Sequence, residues 1–261
     1  MRESTKSAAG ALAAFGALFG IWHLATTVGG VSPQVLPPLA DVAESASRAL
    51  GGGTLYQHIN FTVLATLAGI TIGATLGLVF AALVSESQLL EDAIYPLVTA
   101  IQSVPKVAIA PLIIVYLGLG MPSKVFTVAL LSFFPVFVHT VAGFKAVDSE
   151  LLDLYRSWRA SRLHVLLNVR LPAAAPFLLN GVRIGVVYGI IGCVTSEFVA
   201  STRGLGYIIK SRAGELDISL MFVCIFILSA CAATAMALLS FIERRSLFWI
   251  PSPSSREDGN G

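Results

Sequence analysis

Six long apolar stretches alternate with short polar breaks along this chain, at 8–28, 59–84, 93–117, 125–144, 173–200 and 218–242. A helix that crosses a bilayer needs about 20 mostly apolar residues, so each stretch predicts a transmembrane span. The pattern therefore predicts an all-α, polytopic membrane protein: one transmembrane domain over 1–250, then a polar, Ser- and Pro-rich tail at 251–261 expected to be disordered. The third stretch holds Pro96, Pro105 and Pro111, which predicts a kinked or broken helix whose freed carbonyls are satisfied by neighbours. Between the first two spans, 31–58 carries Pro33, Pro37 and Pro38 and then an amphipathic stretch, read as an external loop with a short interfacial helix.

The one long polar island is 148–172, DSELLDLYRSWRASRLHVLLNVRLP. Leu151, Leu154, Tyr155 and Trp158 share one face at helical spacing, while Arg156, Arg159 and Arg162 recur every three residues on another. A basic amphipathic helix lying on lipid headgroups has the same pattern. Asp148, Glu150 and Asp153 argue against that reading, and acids placed before bases suit the helix dipole.

Composition supports the membrane reading: 56% of residues are hydrophobic and only 12% charged, against about 25% charged in a soluble domain. The net charge of +2 gives no reason to expect nucleic acid. Lys and Arg distribute unevenly between alternate sides, with Arg2, Lys6, Lys145, Arg156, Arg159, Arg162, Arg170, Arg244, Arg245 and Arg256 on the richer one and Arg48, Lys124, Arg203, Lys210 and Arg212 on the other. The richer side is expected to be cytoplasmic, together with both termini and the island. Arg2 and Lys6 precede the first apolar run as in a signal peptide, but Thr26-Thr27-Val28 offers no small-residue cleavage site, so an uncleaved span is expected. Cys193, Cys224 and Cys231 lie in apolar stretches without metal-ligand spacing and read as small buried hydrophobes.

Glycines recur every four residues at Gly69, Gly73 and Gly77 in the second span and at Gly181, Gly185 and Gly189 in the fifth. Each set lies on one helix face, where another backbone can approach closely; packing within the chain is favoured over contact with a second copy. Ionisable groups inside spans usually face the bundle interior. Arg183 is expected to snorkel towards the interface, and Glu197 to pair with Arg203 or Lys210 rather than meet a substrate. Gln102, Ser103, Lys106, His139, Ser196 and Glu197 are the candidate pathway-lining groups, His139 reading best as a satisfied interior histidine.

The island is similar to the cytoplasmic motif of permease subunits of ATP-binding-cassette importers: Glu-Ala-Ala, three residues, Gly, nine residues, Ile, one residue, Leu-Pro. With Asp153 at the acidic position, Val169 falls at the Ile position and Leu171-Pro172 at the final pair. Leu154 and Tyr155 replace both alanines, and Arg159 stands at the glycine, where a residue with a Cβ disfavours a positive-φ turn. The resemblance extends along the chain through Val35-Leu36-Pro37-Pro38, Gln102-Ser103-Val104-Pro105-Lys106, Leu117-Gly118-Leu119-Gly120, Phe133-Phe134-Pro135, Ser196-Glu197-Phe198 and Thr202-Arg203-Gly204-Leu205-Gly206-Tyr207. It looks like the branch handling nitrate, sulfonates and taurine.

That resemblance implies a six-helix type I importer bundle in the inner (plasma) membrane. It also implies two copies of an ABC ATPase carrying ATP and Mg, an external solute-binding protein and a second permease copy. No cofactor is expected in the chain itself, and membrane lipid is its surroundings. The resemblance further implies that Asp153, Leu154, Tyr155, Arg156, Ser157, Trp158, Arg159, Ala160, Ser161, Arg162 and Leu163 form the ATPase-coupling segment. From the residues themselves, no Gly-x-x-x-x-Gly-Lys-Ser/Thr loop is present to hold ATP, so energy arrives from a partner. An ion-gradient-driven secondary transporter would carry more acidic residues in its spans than Glu197. An integral membrane enzyme would need catalytic groups gathered at one depth, whereas the polar residues here are scattered.

Overall fold

The computed structural model describes residues 2–246, without the side chains of 2–9, 11, 12, 106, 107 and 156. All regular structure among these residues is helical. The chain runs α1 (Arg2–Thr27), α2 (Leu39–Gly51), α3 (Thr54–Val84), α4 (Gln88–Gln102), a 3₁₀ turn (Lys106–Ile109), α5 (Ala110–Leu117) and α6 (Met121–Lys145). It continues through α7 (Ser149–Ser157), α8 (Arg162–Val165), a π-helical turn (Leu166–Arg170), α9 (Leu171–Val199), α10 (Leu205–Glu215) and α11 (Ile218–Ser246). Among the described residues, four helices are long and apolar enough to cross a membrane: α3, α6, the continuous 162–199 helix and α11. The apolar stretch of α1 is shorter, over Ala13–Thr27. The tail at 251–261 lies outside the described residues.

The centre of the bundle is α6. Some 61% of its apolar window is buried, against 28% for α3, 33% for 162–199 and 11% for α11. Both glycine stripes meet this one helix. A Cβ at Gly73 would stand 2.4 Å from the Ala129 carbonyl oxygen, and one at Gly69 2.4 Å from Val128 Cβ. On α9, a Cβ at Gly181 would approach the Pro135 carbonyl to 2.9 Å, and one at Gly189 the Ser132 hydroxyl to 2.9 Å. The glycines therefore bring three helices of one chain to backbone contact, and dispersion between close-packed surfaces holds them where lipid offers no hydrophobic drive.

The amphipathic stretch forms α2, as its pattern predicts. Val42 packs with Leu55, Leu205, Ile209, Val223 and Cys224, so α2 closes over α10 and α11. Trp22 of α1 packs at a tilt against Phe222 of α11 (4.9 Å between rings) and donates its indole N–H to the Pro37 carbonyl at 2.8 Å. Prolines break the third stretch as expected: α4 ends at Gln102 and α5 resumes only at Ala110.

The island departs from the expected boundaries. Its second half is no loop: 162–170 is the first part of a helix that runs to Val199 without a break. The π-helical turn explains how Pro172 is tolerated there. A proline removes one N–H donor and widens the turn before it, and the wider turn re-pairs the carbonyls that the donor would have served.

Candidate functional site

Two polar clusters stand at opposite ends of the α6–α9 pair. The first gathers at the start of α6 and the end of α9. Glu197 is wholly buried (0% exposed) and accepts hydrogen bonds from the Thr62 hydroxyl at 2.8 Å and the Gly206 N–H at 2.7 Å. The same Thr62 oxygen accepts from the Leu205 N–H at 2.8 Å, and His58 Nδ1 accepts from the Gly204 N–H at 3.1 Å. The three leading N–H groups of α10, which its own helix cannot satisfy, are thus capped by α3 and α9. A negative or polar oxygen there also suits the positive end of the helix dipole. Gly204 adopts φ +109°, and a Cβ on it would overlap the Glu197 carboxyl at 2.2 Å, so this position admits only glycine.

Beside this clamp lies Lys124, counted above on the side poorer in Lys and Arg and also wholly buried (0% exposed). Its ammonium donates to the Ala200 carbonyl at 2.5 Å, the Leu119 carbonyl at 3.3 Å and Ser123 Oγ at 3.4 Å. The expected pairing of Glu197 with Arg203 or Lys210 is not what the structure shows. Lys210 donates instead to the Val199 carbonyl at 3.4 Å, and the Glu197 carboxyl is taken up by the Thr62 hydroxyl and the Gly206 N–H. Arg183, expected to reach towards the interface, pairs with Glu243 near the polar end of α11 at 2.5 Å.

The candidate pathway residues do not converge. Ser196 donates to the Cys193 carbonyl at 2.9 Å and is buried with Glu197 at the clamp. His139 contacts the Pro135 carbonyl of its own helix at 2.9 Å, beside Gly181. Gly181 and Glu197 are sixteen positions apart on α9, about 24 Å at 1.5 Å per residue, so His139 and Glu197 cannot meet one small molecule together. Gln102 and Ser103 end α4 at the break, where Ser103 donates to the Thr99 carbonyl at 3.3 Å. The side chain of Lys106 lies outside the described residues.

The second cluster surrounds the polar island. Here α7 is followed by a tight turn and then α8, whose Ser161 caps it by accepting from the His164 N–H at 3.3 Å. The turn is made by Arg159 at φ +55°. The expectation that arginine disfavours this geometry is met by strain rather than by a different shape, because the fold keeps the left-handed turn and accepts a cost of about 1–2 kcal/mol. Replacement of Arg159 by Gly is expected to steady the turn by about 0.5–1 kcal/mol, the gain being reduced by glycine's greater freedom when unfolded. Hydrogen exchange at Ala160 to His164 would read this as roughly two- to fivefold slower exchange.

The exposed apolar surface of the island is concentrated. Leu154, Trp158 and Leu163 are all exposed, Trp158 at 68%, and Tyr155 meets Trp158 edge-on at 5.7 Å. Asp153, Ser157 and Ser161 are exposed around them, and Ala160 is half-buried. The side chain of Arg156 lies outside the described residues. Towards the bundle, Arg162 lies 4.0 Å from Glu86, and Arg170 donates to the Ser85 carbonyl at 2.9 Å. Among the described residues no group of His, Cys, Asp and Glu is placed to hold a metal.

Residues 58–247 match the family described as binding-protein-dependent transport system inner membrane component. The riboflavin transport system permease protein RibX of Chloroflexus aurantiacus is 34% identical over 89% of this chain and 87% of its own length. The taurine transport system permease protein TauC of Escherichia coli is 30% identical over 89% and 86%. The putative aliphatic sulfonates transport permease protein SsuC of Bacillus subtilis is 28% identical over 89% and 84%. The fold is similar to that of the MetNI methionine ABC transporter in inward-facing conformations, at a TM-score of 0.59 and 18% identity over 73% of this chain and 93% of that one. A helical bundle with apolar spans, relatives that are transport permeases and a family match over most of its length make this chain a member of the binding-protein-dependent transport system inner membrane component family, a multi-pass translocation subunit of an ABC importer and not an enzyme.

Proposed function

We propose that this permease is driven by a separate ATPase that docks on 153–163 and that it imports a small solute delivered by an external binding protein. The observation that carries the docking reading is the exposed Leu154, Trp158 and Leu163 group gathered around the turn between α7 and α8. Apolar side chains on the long spans face lipid, but these three stand on a segment too polar to sit in the bilayer core. An aromatic anchor ringed by polar groups is the usual centre of a protein interface. Arg156 and Arg162 pair with acidic groups on the ATPase, where ATP and Mg reside, and the island with both termini faces the cytoplasm. Two permease copies and two ATPases complete the pore. Relatives named for riboflavin, taurine, aliphatic sulfonates and formylaminopyrimidine support a small polar cargo, with nitrate a further candidate.

Co-purification of the tagged chain from its native host membrane tests this reading. The ATPase and the binding protein are expected to accompany it. Substitution of Trp158 by Ala is expected to weaken ATPase binding by about 2 kcal/mol, roughly 30-fold, and charge reversal at Arg162 to weaken it further. Unchanged ATPase recovery and unchanged uptake in both variants would remove the docking assignment.

A further inference from the structure

We propose that two cavities meeting at Arg170 form a site for a phosphate group, in the first place that of an anionic membrane lipid. The cavities lie at the island end of the bundle, where α3 and α6 stop at Val84 and Lys145. One, of about 210 Å³, is lined by Glu86, Leu152, Ala160, Arg162, Val165 and Arg170. The other, of about 450 Å³, is lined in part by Ser85, Gln88, Glu91, Lys145, Ser149 and Arg170. The charges on these walls do not balance. Three cations, Lys145, Arg162 and Arg170, accompany two carboxylates, Glu86 and Glu91. Lys145 pairs with Glu91, and Arg162 lies 4.0 Å from Glu86. That leaves Arg170, half-buried, whose Nη1 donates only to a neutral acceptor, the Ser85 carbonyl, at 2.9 Å. A cation drawn away from water without a counter-charge is costly.

The walls are also short of acceptors. Arg170 Nε and Ser85 Oγ are both buried without a hydrogen-bond partner. An anion brought against Arg170 supplies the missing charge together with acceptor oxygens. Glu86 and Glu91 would repel it if they stood alone, but each carboxylate already has its own cation. The bilayer decides the class of anion. Spans α3 and α6 end at this level, and a basic pocket between helix ends at the membrane surface suits a lipid headgroup. A phosphodiester carries a single negative charge, the amount the walls lack, and a guanidinium holds phosphate oxygens through paired N–H donors. Exposed Gln88 and Ser149 offer further donors to its other oxygens. Phe144 and Val147 give the larger cavity an apolar side, against which the glycerol end of a lipid can lie.

Native mass spectrometry of the purified full chain in mild detergent tests the site, with phosphatidylglycerol and a diacylglycerol of the same acyl chains added at equal concentration. The wild type is expected to retain phosphatidylglycerol about tenfold or more over the diacylglycerol, which lacks the phosphate. Arg170→Gln removes the charge and is expected to cut that retention about tenfold, the usual scale for a charge-assisted bond. Ser149→Asp is the second variant and decides the matter if the first fails to fold. It puts a negative charge on the wall, while an acid at the start of α7 suits the helix dipole and spares the fold. Its retention is expected to fall by a similar factor. Arg244→Gln, at an exposed cation near the end of α11 outside both walls, is expected to stay within about twofold of the wild type. Inorganic phosphate forms the other arm, read by the rise it gives in melting temperature against chloride at equal ionic strength. A rise that depends on Arg170 and Ser149, without preference for phosphatidylglycerol, would assign the site to a soluble phosphate. Equal retention in all variants, or no response of the wild type to either probe, would overturn the proposal.

Discussion

Replacement of Glu197 by Ala is expected to destabilise the permease by about 3–5 kcal/mol, the largest loss anticipated for any single polar side chain described here. The carboxyl receives the Thr62 hydroxyl and the Gly206 N–H, and its removal leaves both donors buried without partners. It also takes away the side chain packed against Gly204, leaving a gap at the entry to α10. Glu197→Gln keeps the volume and one acceptor oxygen but turns an NH₂ group towards one of the two donors, so an intermediate loss of about 1–3 kcal/mol is expected. Thermal unfolding of the purified protein in detergent, followed by a thiol- or aggregation-independent signal such as tryptophan fluorescence, would order the variants wild type, Gln, Ala. A full-strength fold in the Ala variant, with only uptake lost, would mean that Glu197 acts on the solute and that its capping role is minor.

The second large effect is expected along the glycine seam, and it should be graded by geometry. At Gly73 an added methyl meets the Ala129 carbonyl at 2.4 Å and the Ala129 carbonyl carbon at 3.1 Å, main-chain atoms that cannot swing aside. Gly73→Ala must push α3 off α6, and overpacking of this kind costs about 1–3 kcal/mol or more. At Gly185 the nearest atoms lie at 3.3, 3.5 and 3.6 Å, close to ordinary contact, so Gly185→Ala is expected to be tolerated within about 0.5 kcal/mol. Melting temperature and yield of folded protein for the two variants, measured side by side, distinguish a steric seam from a general intolerance of change in these helices. Equal losses at both positions would remove the seam as the explanation.

The sequence makes the membrane architecture readable because hydrophobic length is a strong signal: the apolar stretches at 59–84, 125–144 and 218–242 all lie within helices. The broken third stretch is readable for a related reason, since Pro105 and Pro111 act on the chain locally. Other features depend on where distant residues come to rest. Nothing in the order of residues says that Thr62 lies beside Glu197, 135 positions away, so the cap on α10 could only be mistaken for an ion pair with nearby Arg203 or Lys210. The burial of Lys124 is hidden for the same reason: its acceptors include the carbonyl of Ala200, 76 positions on. The island's amphipathic face is visible at once, but the merger of its second half with α9 is hidden by Leu171-Pro172, which looks like a stop and is directly preceded by a π-helical turn. Arg159 taught the opposite lesson, for the turn survives there despite an unfavourable residue.

The way the two glycine stripes meet α6 sets which side of each contact can drift over time. Much of what they touch on α6 is main chain: the carbonyls of Val125, Ala129, Ser132, Phe133 and Pro135. A substitution on α6 changes side chains but leaves these oxygens where they were, whereas any substitution at Gly69, Gly73 or Gly181 adds atoms directly against them. Mutational tolerance across the seam is therefore lopsided. A saturating library selected for uptake should find α6 permissive wherever its side chains turn away from α3 and α9, and should return glycine almost alone at the tightest positions of its neighbours.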